Sequence, residues 1–248
     1  MEITTNGLVI REKEFKGDRI LLLLTEEKGI ITAYAKGAKS PKSRFASSTD
    51  LFCYTRFVLS DKSNKYWVES ADAIEVFFGL RSSIEKISLA SYICEVSGYL
   101  SPPTEENSDE FLRLLLNCLK LLEEDKRSIP FIKALFELRI LTMSGFMPDL
   151  VGCRKCRKYE ARNMYFSLEE GNIICQDCVN QETDKNLIFL SSAVLSAMRH
   201  IIYSPFEKLF SFTLSENSLK SLVKISELYI LEHMDFMPKT LTFLHNIL

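Results

Sequence analysis

Two pairs of cysteines constrain this chain more than any other feature. Cys153 and Cys156 form one Cys-x2-Cys pair, and Cys175 and Cys178 form a second pair after eighteen intervening residues. Each pair can place two thiolates on one tight turn, and two such turns facing each other supply the four ligands of a tetrahedral Zn2+ ion. Disulfides and unrelated thiols are the alternatives. Four cysteines leave no open coordination position, so such a zinc ion would stabilise structure and take no part in chemistry.

The rest of the composition predicts an intracellular protein. Three further cysteines lie in apolar segments, where buried structural thiols are expected: Cys53, Cys94 and Cys118. An odd total of seven cysteines argues against a secreted disulfide scaffold. The sequence shows no basic and then apolar leader and no apolar stretch near the roughly 18 residues that span a bilayer. We therefore expect a cytoplasmic protein with no membrane partner.

Residues 1–80 have the pattern of short β-strands. Apolar, β-branched segments recur between glycine-containing turns over 7–10, 20–24, 30–35, 52–59 and 65–71. Such spacing is typical of a small antiparallel barrel or sandwich.

From Ser82 onward the apolar positions recur at helical spacing. The pattern predicts helices over 111–122, 128–145, 192–203 and 218–234. Asn107, followed three residues later by Glu110, is a plausible variant of the capping box. The helix over 111–122 is apolar nearly all round, which predicts a position in the middle of a bundle.

The cysteine pairs fall between two predicted helices, so the zinc segment is an insertion in the helical part. Within it, residues 164–166 and 172–174 flank the turn Glu169-Glu170-Gly171, which indicates a hairpin. The sequence thus predicts an α+β multidomain chain. Its first domain covers 1–80, and a helical domain covers 81–248 and is interrupted by the zinc-binding segment 150–182.

A formal net charge of −2 excludes a globally basic protein, so any nucleic-acid site must be a local patch. One candidate is a basic loop with four cations and no anion: Lys36, Lys39, Lys42 and Arg44. Phe45 follows it, and Tyr34 and Tyr54 lie on flanking strands, so a barrel face could combine phosphate contacts with base stacking. A solvated loop without a ligand is the alternative.

A second basic cluster surrounds the first cysteine pair and comprises Arg154, Lys155, Arg157, Lys158 and Arg162. It is a second candidate for nucleic-acid contact. Alternatively, these cations belong to a solvated turn and lower the pKa of the neighbouring thiols, which needs no DNA.

Catalytic constellations are not evident, so the sequence predicts a protein that is not an enzyme. The three histidines lie in apolar C-terminal segments, far from any serine or thiol arrangement: His200, His233 and His245. The Gly-x4-Gly-Lys-Ser/Thr phosphate loop is missing.

Taken in order, the motifs resemble the RecO family of bacterial recombination mediators over almost the whole chain. The matching segments are Gly7-Leu8-Val9, Asp18-Arg19-Ile20, Ala35-Lys36-Gly37-Ala38, Pro41-Lys42-Ser43-Arg44, Phe136-Glu137-Leu138-Arg139, the four cysteines and Lys239-Thr240-Leu241. None of these motifs is specific alone, but their order and spacing are.

The resemblance implies an OB-fold N-terminal domain, a helical C-terminal domain, and binding of single- and double-stranded DNA. It also implies annealing of complementary strands in DNA repair and homologous recombination by the RecF pathway. With RecR, such a protein helps to load RecA onto DNA coated by single-strand-binding protein, whose C-terminal tail would dock on the helical domain. The same resemblance implies zinc ligation by the four cysteines, DNA contact by the basic loop, and association with the nucleoid during repair.

Two other classes stay open at this point. GTPase-activating modules use a similar four-cysteine spacing, in which Arg154 or Arg157 would act on the γ-phosphate. Such modules do not carry a preceding barrel and basic loop. A structural adaptor that bridges proteins through the helices is the other class.

Overall fold

The computed structural model describes residues 2–40, 43, 45–62, 65–100, 107–180, 182 and 184–247. The chain divides into two compact units. The first unit comprises residues 1–129 together with 238–248, and the second unit comprises residues 130–237. The chain therefore leaves the first unit after residue 129 and returns to it at residue 238. The domain boundary expected at residue 80 stays a prediction.

A closed barrel of five strands forms most of the first unit. The strands are β1 (Glu2–Phe15), β2 (Asp18–Thr25), β3 (Gly29–Ala35), β4 (Cys53–Lys62) and β5 (Lys65–Val76). They neighbour one another in the order β1-β2-β3-β5-β4, and β4 pairs with β1 to close the barrel. All pairs are antiparallel except β3 and β5, which are parallel. This architecture is the five-stranded OB-type barrel and confirms the expected fold class.

The barrel follows from alternation along its strands. On β3, Ala33 and Ala35 are buried while Thr32 is exposed and Tyr34 is half-buried, as the two-residue period of a strand requires. The turn between β1 and β2 consists of Lys16 and Gly17, whose φ angles are 51° and 85°. Two consecutive positive φ angles are the property of a type I′ hairpin turn, which matches the twist of the strands.

Three helices complete the first unit: α1 (Ile84–Leu100), α2 (Ser108–Glu123) and, after the return of the chain, α6 (Lys239–His245). The Glu95 carboxylate on α1 accepts hydrogen bonds from the backbone N–H groups of Lys239 and Thr240, at 3.3 and 3.0 Å, and from the Thr240 hydroxyl. An acceptor on α1 thus satisfies orphan donors in the first turn of α6.

Two details of α2 differ from the prediction. The helix is amphipathic, with Phe111, Leu115 and Leu119 buried and Arg113 exposed, so it is not apolar all round. Asn107 stands at the N-cap position, but it has a left-handed backbone and makes no side-chain cap bond. The hydrogen-bonding side chain at this end is that of Ser108, which donates to the Glu26 carbonyl.

The second unit contains α3 (Ile129–Met143), α4 (Ser192–Tyr203) and α5 (Glu216–Glu232). Between α3 and α4 lies an antiparallel sheet in the order β7-β6-β8, formed by β6 (Met164–Ser167), β7 (Asn172–Cys175) and β8 (Leu187–Leu190). The hairpin of β6 and β7 was expected from the sequence, and β8 was not. Helix α3 is buried nearly all round.

Ionised groups lie inside the second unit as a buried network. The Lys133 ammonium on α3 donates to Glu137, one turn later, at 2.6 Å and to Glu227 of α5 at 2.7 Å. The Ser226 hydroxyl donates to the other Glu137 oxygen at 2.6 Å. The side chains of Lys133 and Glu137 are 3% and 0% exposed, so this pair is stable only because each charge has close partners.

Within the described ranges, no helix combines the length and the apolar character needed to cross a membrane.

Candidate metal centre and nucleic-acid interface

The four predicted metal ligands come together in the second unit. The sulfur atoms of Cys153, Cys156, Cys175 and Cys178 all lie within 4.8 Å of one another, and those of Cys156 and Cys175 are 3.6 Å apart. A tetrahedron with Zn–S bonds of about 2.3 Å has sulfur atoms roughly 3.8 Å apart, so this cluster has the size of a four-thiolate metal site. All seven cysteines are free thiols, which does not agree with the disulfide alternative.

The surroundings of the cluster shift the pKa values of Cys153 and Cys178 in opposite directions. Burial raises the pKa of Cys153, but backbone N–H groups of Cys156, Cys175 and Lys155 that donate to its sulfur lower the pKa to about 6. Hydrogen bonds with the Cys156 and Cys175 thiols, together with burial, raise the pKa of Cys178 to about 12. The cluster thus favours a thiolate at Cys153 and a protonated thiol at Cys178. A divalent metal needs thiolate ligands, so its binding would release protons.

Backbone contacts shape the first turn of this metal knuckle, which we define as residues 149–184. The Cys153 N–H donates to the Lys158 carbonyl at 2.9 Å, and the Arg157 N–H donates back to the Cys153 carbonyl at 2.8 Å. The Arg154 N–H donates to the backbone carbonyl of Ile173 on β7 at 2.8 Å. This contact brings the first cysteine pair alongside the second.

An arginine on α4 anchors the same turn. Arg199 is 8% exposed, and its guanidinium donates to the carbonyls of Leu150 at 2.8 Å and Tyr159 at 2.6 Å. The guanidinium also lies 3.8 Å from the centre of the Tyr159 ring. One buried cation therefore satisfies carbonyls on both sides of the first cysteine pair. The sequence did not predict this role, because the contact spans 40 residues or more.

Each of the four knuckle cations predicted to contact nucleic acid has an acidic partner. Arg154 pairs with Glu170 and Asp184, Lys155 with Asp184, Arg157 with Asp149 and Lys158 with Asp177. The N–H of Asn180 and then the Lys155 ammonium lower the pKa of Asp184 to about 2. The knuckle as a whole contains more acidic than basic residues. These pairs favour a structural role for the cations, and their contact with DNA stays a prediction.

The beginning of the basic loop is attached to the β1–β2 turn. The Gly37 N–H donates to the Asp18 carboxylate at 2.7 Å, and the Lys39 N–H donates to the Gly17 carbonyl at 3.2 Å. Lys36 and Lys39 are exposed, and the Lys39 ammonium lies 3.6 Å from a Glu14 oxygen. Lys42 and Arg44, the other two predicted contacts, lie outside the described residues.

The segment after the basic loop is held by a buried arginine. Arg19, on β2, donates to the Ala46 carbonyl at 2.8 Å and to the Thr49 hydroxyl at 2.9 Å, and its guanidinium lies 2.5 Å from Asp50. Together with the Asp18 contact to Gly37, this explains the Asp18-Arg19 motif: two adjacent side chains fix both ends of the loop.

The aromatic residues named from the sequence do not share one face. Phe45 packs against the barrel core, and Tyr54 lies on β4, which β5 separates from β3. Tyr34 instead neighbours Trp67, with ring centroids 5.1 Å apart. Trp67 was not predicted as a site residue from the sequence, although it is a single tryptophan inside a predicted strand.

Comparison with known proteins covers nearly the whole chain. The family model "Recombination protein O N terminal" matches residues 1–77, and "Recombination protein O C terminal" matches residues 81–242. A DNA repair protein RecO from Acetivibrio thermocellus is 34% identical over 94% of this chain and 92% of that protein. Another from Dehalococcoides mccartyi is 31% identical over 99% and 96%. With the OB-type barrel and the four-cysteine knuckle in place, the chain belongs to the RecO family of DNA repair proteins.

Proposed function

We propose that this protein is a recombination mediator that binds single- and double-stranded DNA and anneals complementary strands. The observation that carries the proposal is an OB-type barrel whose basic loop is tied to one hairpin turn, in a chain that matches the RecO family over both of its parts. Barrels of this type bind oligonucleotides on an outer face and on adjoining loops. A cationic loop held at its base can meet phosphates at a smaller entropic cost than a free one.

DNA contact is assigned to the basic loop: Lys36, Lys39, Lys42 and Arg44. Phosphate contacts of this kind position a strand without reading its sequence. The knuckle cations Arg154, Lys155, Arg157 and Lys158 would contribute only by leaving their acidic partners. In the described part of the loop, Lys39 has such a partner in Glu14, whereas Lys36 has none among the described residues, so we rank the knuckle cations below the loop.

The metal at the four cysteines is proposed to be zinc. Four thiolates in a cluster of this size suit Zn2+ and leave no position for a water molecule, so the ion would hold the knuckle together. The chain's activity on DNA would then come from binding energy, through neutralisation of two backbones in one complex, and not from turnover as an enzyme.

Further partners are proposed from the family. With RecR, the protein would help to load RecA onto DNA coated by single-strand-binding protein, whose C-terminal tail would dock on helices within 81–248. The proposed division at residue 80 is supported by the two family models, which meet between residues 77 and 81. Such work takes place in the bacterial cytoplasm, at the nucleoid.

An annealing assay tests the mediator proposal. Complementary oligonucleotides coated with the cognate single-strand-binding protein should pair faster when the protein is added, with or without ATP. Pairing at the spontaneous rate, or a strict need for ATP hydrolysis by this chain, would refute it.

The loop assignment has its own test. Alanine at Lys36, Lys39, Lys42 and Arg44 together should weaken DNA binding for all sequences, and the slope of log K against log salt should shrink by about 0.7 per lost contact on single strands. The matched control removes the same charge from exposed lysines of the second unit: Lys185, Lys208, Lys220 and Lys224. Equal slopes for the two variants would mean that the loop is only solvated.

A further inference from the structure

The outer face of the barrel carries an ordered row of side chains across four strands. Lys13 of β1 pairs with Ile20 of β2, Ile20 pairs with Tyr34 of β3, and Tyr34 pairs with Trp67 of β5. Directly paired residues point to the same side of a sheet, so these four side chains form one line, the aromatic row. Adjacent strands lie about 4.8 Å apart, so the row spans roughly 14 Å.

Its aromatic end is solvent-accessible. The rings of Tyr34 and Trp67 are 5.1 Å apart at an interplanar angle of 31°, and both side chains are half-buried. They do not fill the barrel, whose interior holds Ala33 and Val68 from the same strands. Both rings are therefore partly accessible to water, and the core of the barrel needs neither of them.

Positive charge lies at the other end of the row. Arg11 and Lys13 are exposed, and neither has an ion-pair partner among the residues that the structure describes. The knuckle cations differ in this respect, because each of them faces a carboxylate. The net charge of the chain is negative. On such a chain, exposed cations without an ion-pair partner are the feature expected where an anionic ligand binds.

A shallow concavity lies at the cationic end of the row. It has a volume of about 350 Å³ and is lined by Arg11, Lys13, Ile20, Leu22 and Thr32, together with Leu21. On one side it is bordered by α1, where Gly98 lies against the Leu22 side chain. This volume is within the range of small-ligand sites, roughly 300–1,000 Å³.

We propose that the aromatic row is a base-stacking subsite for single-stranded DNA, in which Tyr34 and Trp67 stack on unpaired bases and Arg11 and Lys13 neutralise the adjoining phosphates. The proposal rests on the proposed DNA-binding function and assigns to it a surface separate from the basic loop. Stacking on aromatic side chains accepts any base, because every base has a π-face. A duplex keeps its bases stacked on one another, so the row distinguishes single strands from double strands without reading sequence.

Trp67 reports on this site directly, because it is the single tryptophan of the chain. Titration of the full-length protein with oligothymidylate should quench Trp67 emission and shield the ring from acrylamide. An abasic strand of the same length keeps the phosphates and lacks the bases, so it should leave both signals nearly unchanged even when it binds. Equal quenching by both strands, or none by either while DNA binds, would overturn the stacking subsite.

Two substitutions of Tyr34 distinguish base stacking on its ring from the apolar packing of its side chain. Tyr34→Leu keeps apolar volume and removes the π-face, so single-strand affinity should fall by about 5- to 100-fold. Tyr34→Phe keeps the ring and should bind as the unmodified protein does. Neither variant should change affinity for a blunt duplex, measured by fluorescence anisotropy of labelled DNA.

The outcomes distinguish this subsite from the broader function. If Tyr34→Leu weakens single-strand and duplex binding equally, the row does not select unpaired bases, although DNA binding as proposed stands. If the unmodified protein binds no DNA at low salt, both the function and the subsite are refuted.

Discussion

The buried pair of Lys133 and Glu137 allows the sharpest test of what holds the second unit together. Glu137→Met removes a carboxylate that is 0% exposed and keeps a similar apolar volume at that position. The Lys133 ammonium, 3% exposed, then loses one of its two closest carboxylates, and the Ser226 hydroxyl loses the oxygen to which it donates at 2.6 Å. The substitution leaves a buried charge poorly compensated.

The structure sets the size of the effect. Breaking a buried pair by removing one partner costs about 3–5 kcal/mol. Glu227 still lies 2.7 Å from the Lys133 ammonium, so we expect the lower end of this range, about 3 kcal/mol, for Glu137→Met. Lys133→Met should cost about as much, because Glu137 would be buried without its cation. The double variant removes both charges, and its cost should fall short of the sum by about 2 kcal/mol.

Urea unfolding measures these costs with two probes. Far-UV circular dichroism follows the helices, which are divided between the two units, whereas Trp67 emission follows the barrel of the first unit. The single variants should lower the urea midpoint seen by circular dichroism, and the double variant should recover part of the loss. If Glu137→Met costs less than about 1 kcal/mol, or if the two single costs add fully, the network does not carry the stability that its burial implies.

Three further outcomes are expected. Gly171→Ala places a methyl group 2.6 Å from the Tyr229 hydroxyl at a φ of +60°. Urea unfolding should therefore show that the free energy of unfolding falls by at least about 1–2 kcal/mol, and by less in a Tyr229→Phe background. Equal losses in both backgrounds would exclude the clash. Arg199→Met should destabilise the protein by about 3 kcal/mol, because two knuckle carbonyls lose their donor. The same variant should release its metal to a chelator faster. An unchanged release rate would show that Arg199 does not anchor the knuckle. After treatment with a chelator, the native protein should expose at most four thiols to an aromatic disulfide reagent, and all seven only in denaturant. The reason is that burial raises the pKa of Cys53, Cys94 and Cys118. Rapid labelling of more than four thiols in the native protein would contradict this prediction.

Local patterns predicted the elements that depend on near neighbours. Alternation and glycine-containing turns indicated the strands of the barrel, and the two Cys-x2-Cys pairs indicated the sulfur cluster, because each pair sits on one turn of the chain. Periodicity also placed the helix at 192–203 correctly. It was less informative for 111–122, where half-buried Leu116 and Leu121 made an amphipathic helix resemble a buried one.

Contacts between distant residues could not be predicted in this way. Tyr34 and Trp67 meet only because β3 and β5 run parallel, and neither strand shows that register on its own. The ion pair of Arg154 with Asp184 joins residues 30 apart, so a cluster that looked free to bind phosphate in the sequence is compensated in the fold. Register and charge pairing across loops are properties of the assembled molecule.

The return of the chain to the first unit has a consequence for the order in which this protein can be completed on the ribosome. The barrel, α1 and α2 are synthesised first, but α6 follows only after the whole second unit, and domains generally fold as units while synthesis proceeds from the N-terminus. A nascent chain that ends before residue 238 cannot yet present the backbone N–H groups of Lys239 and Thr240 to the Glu95 carboxylate. Closure of that contact is therefore a late event in biogenesis, and a chain truncated after the second unit would lack it altogether.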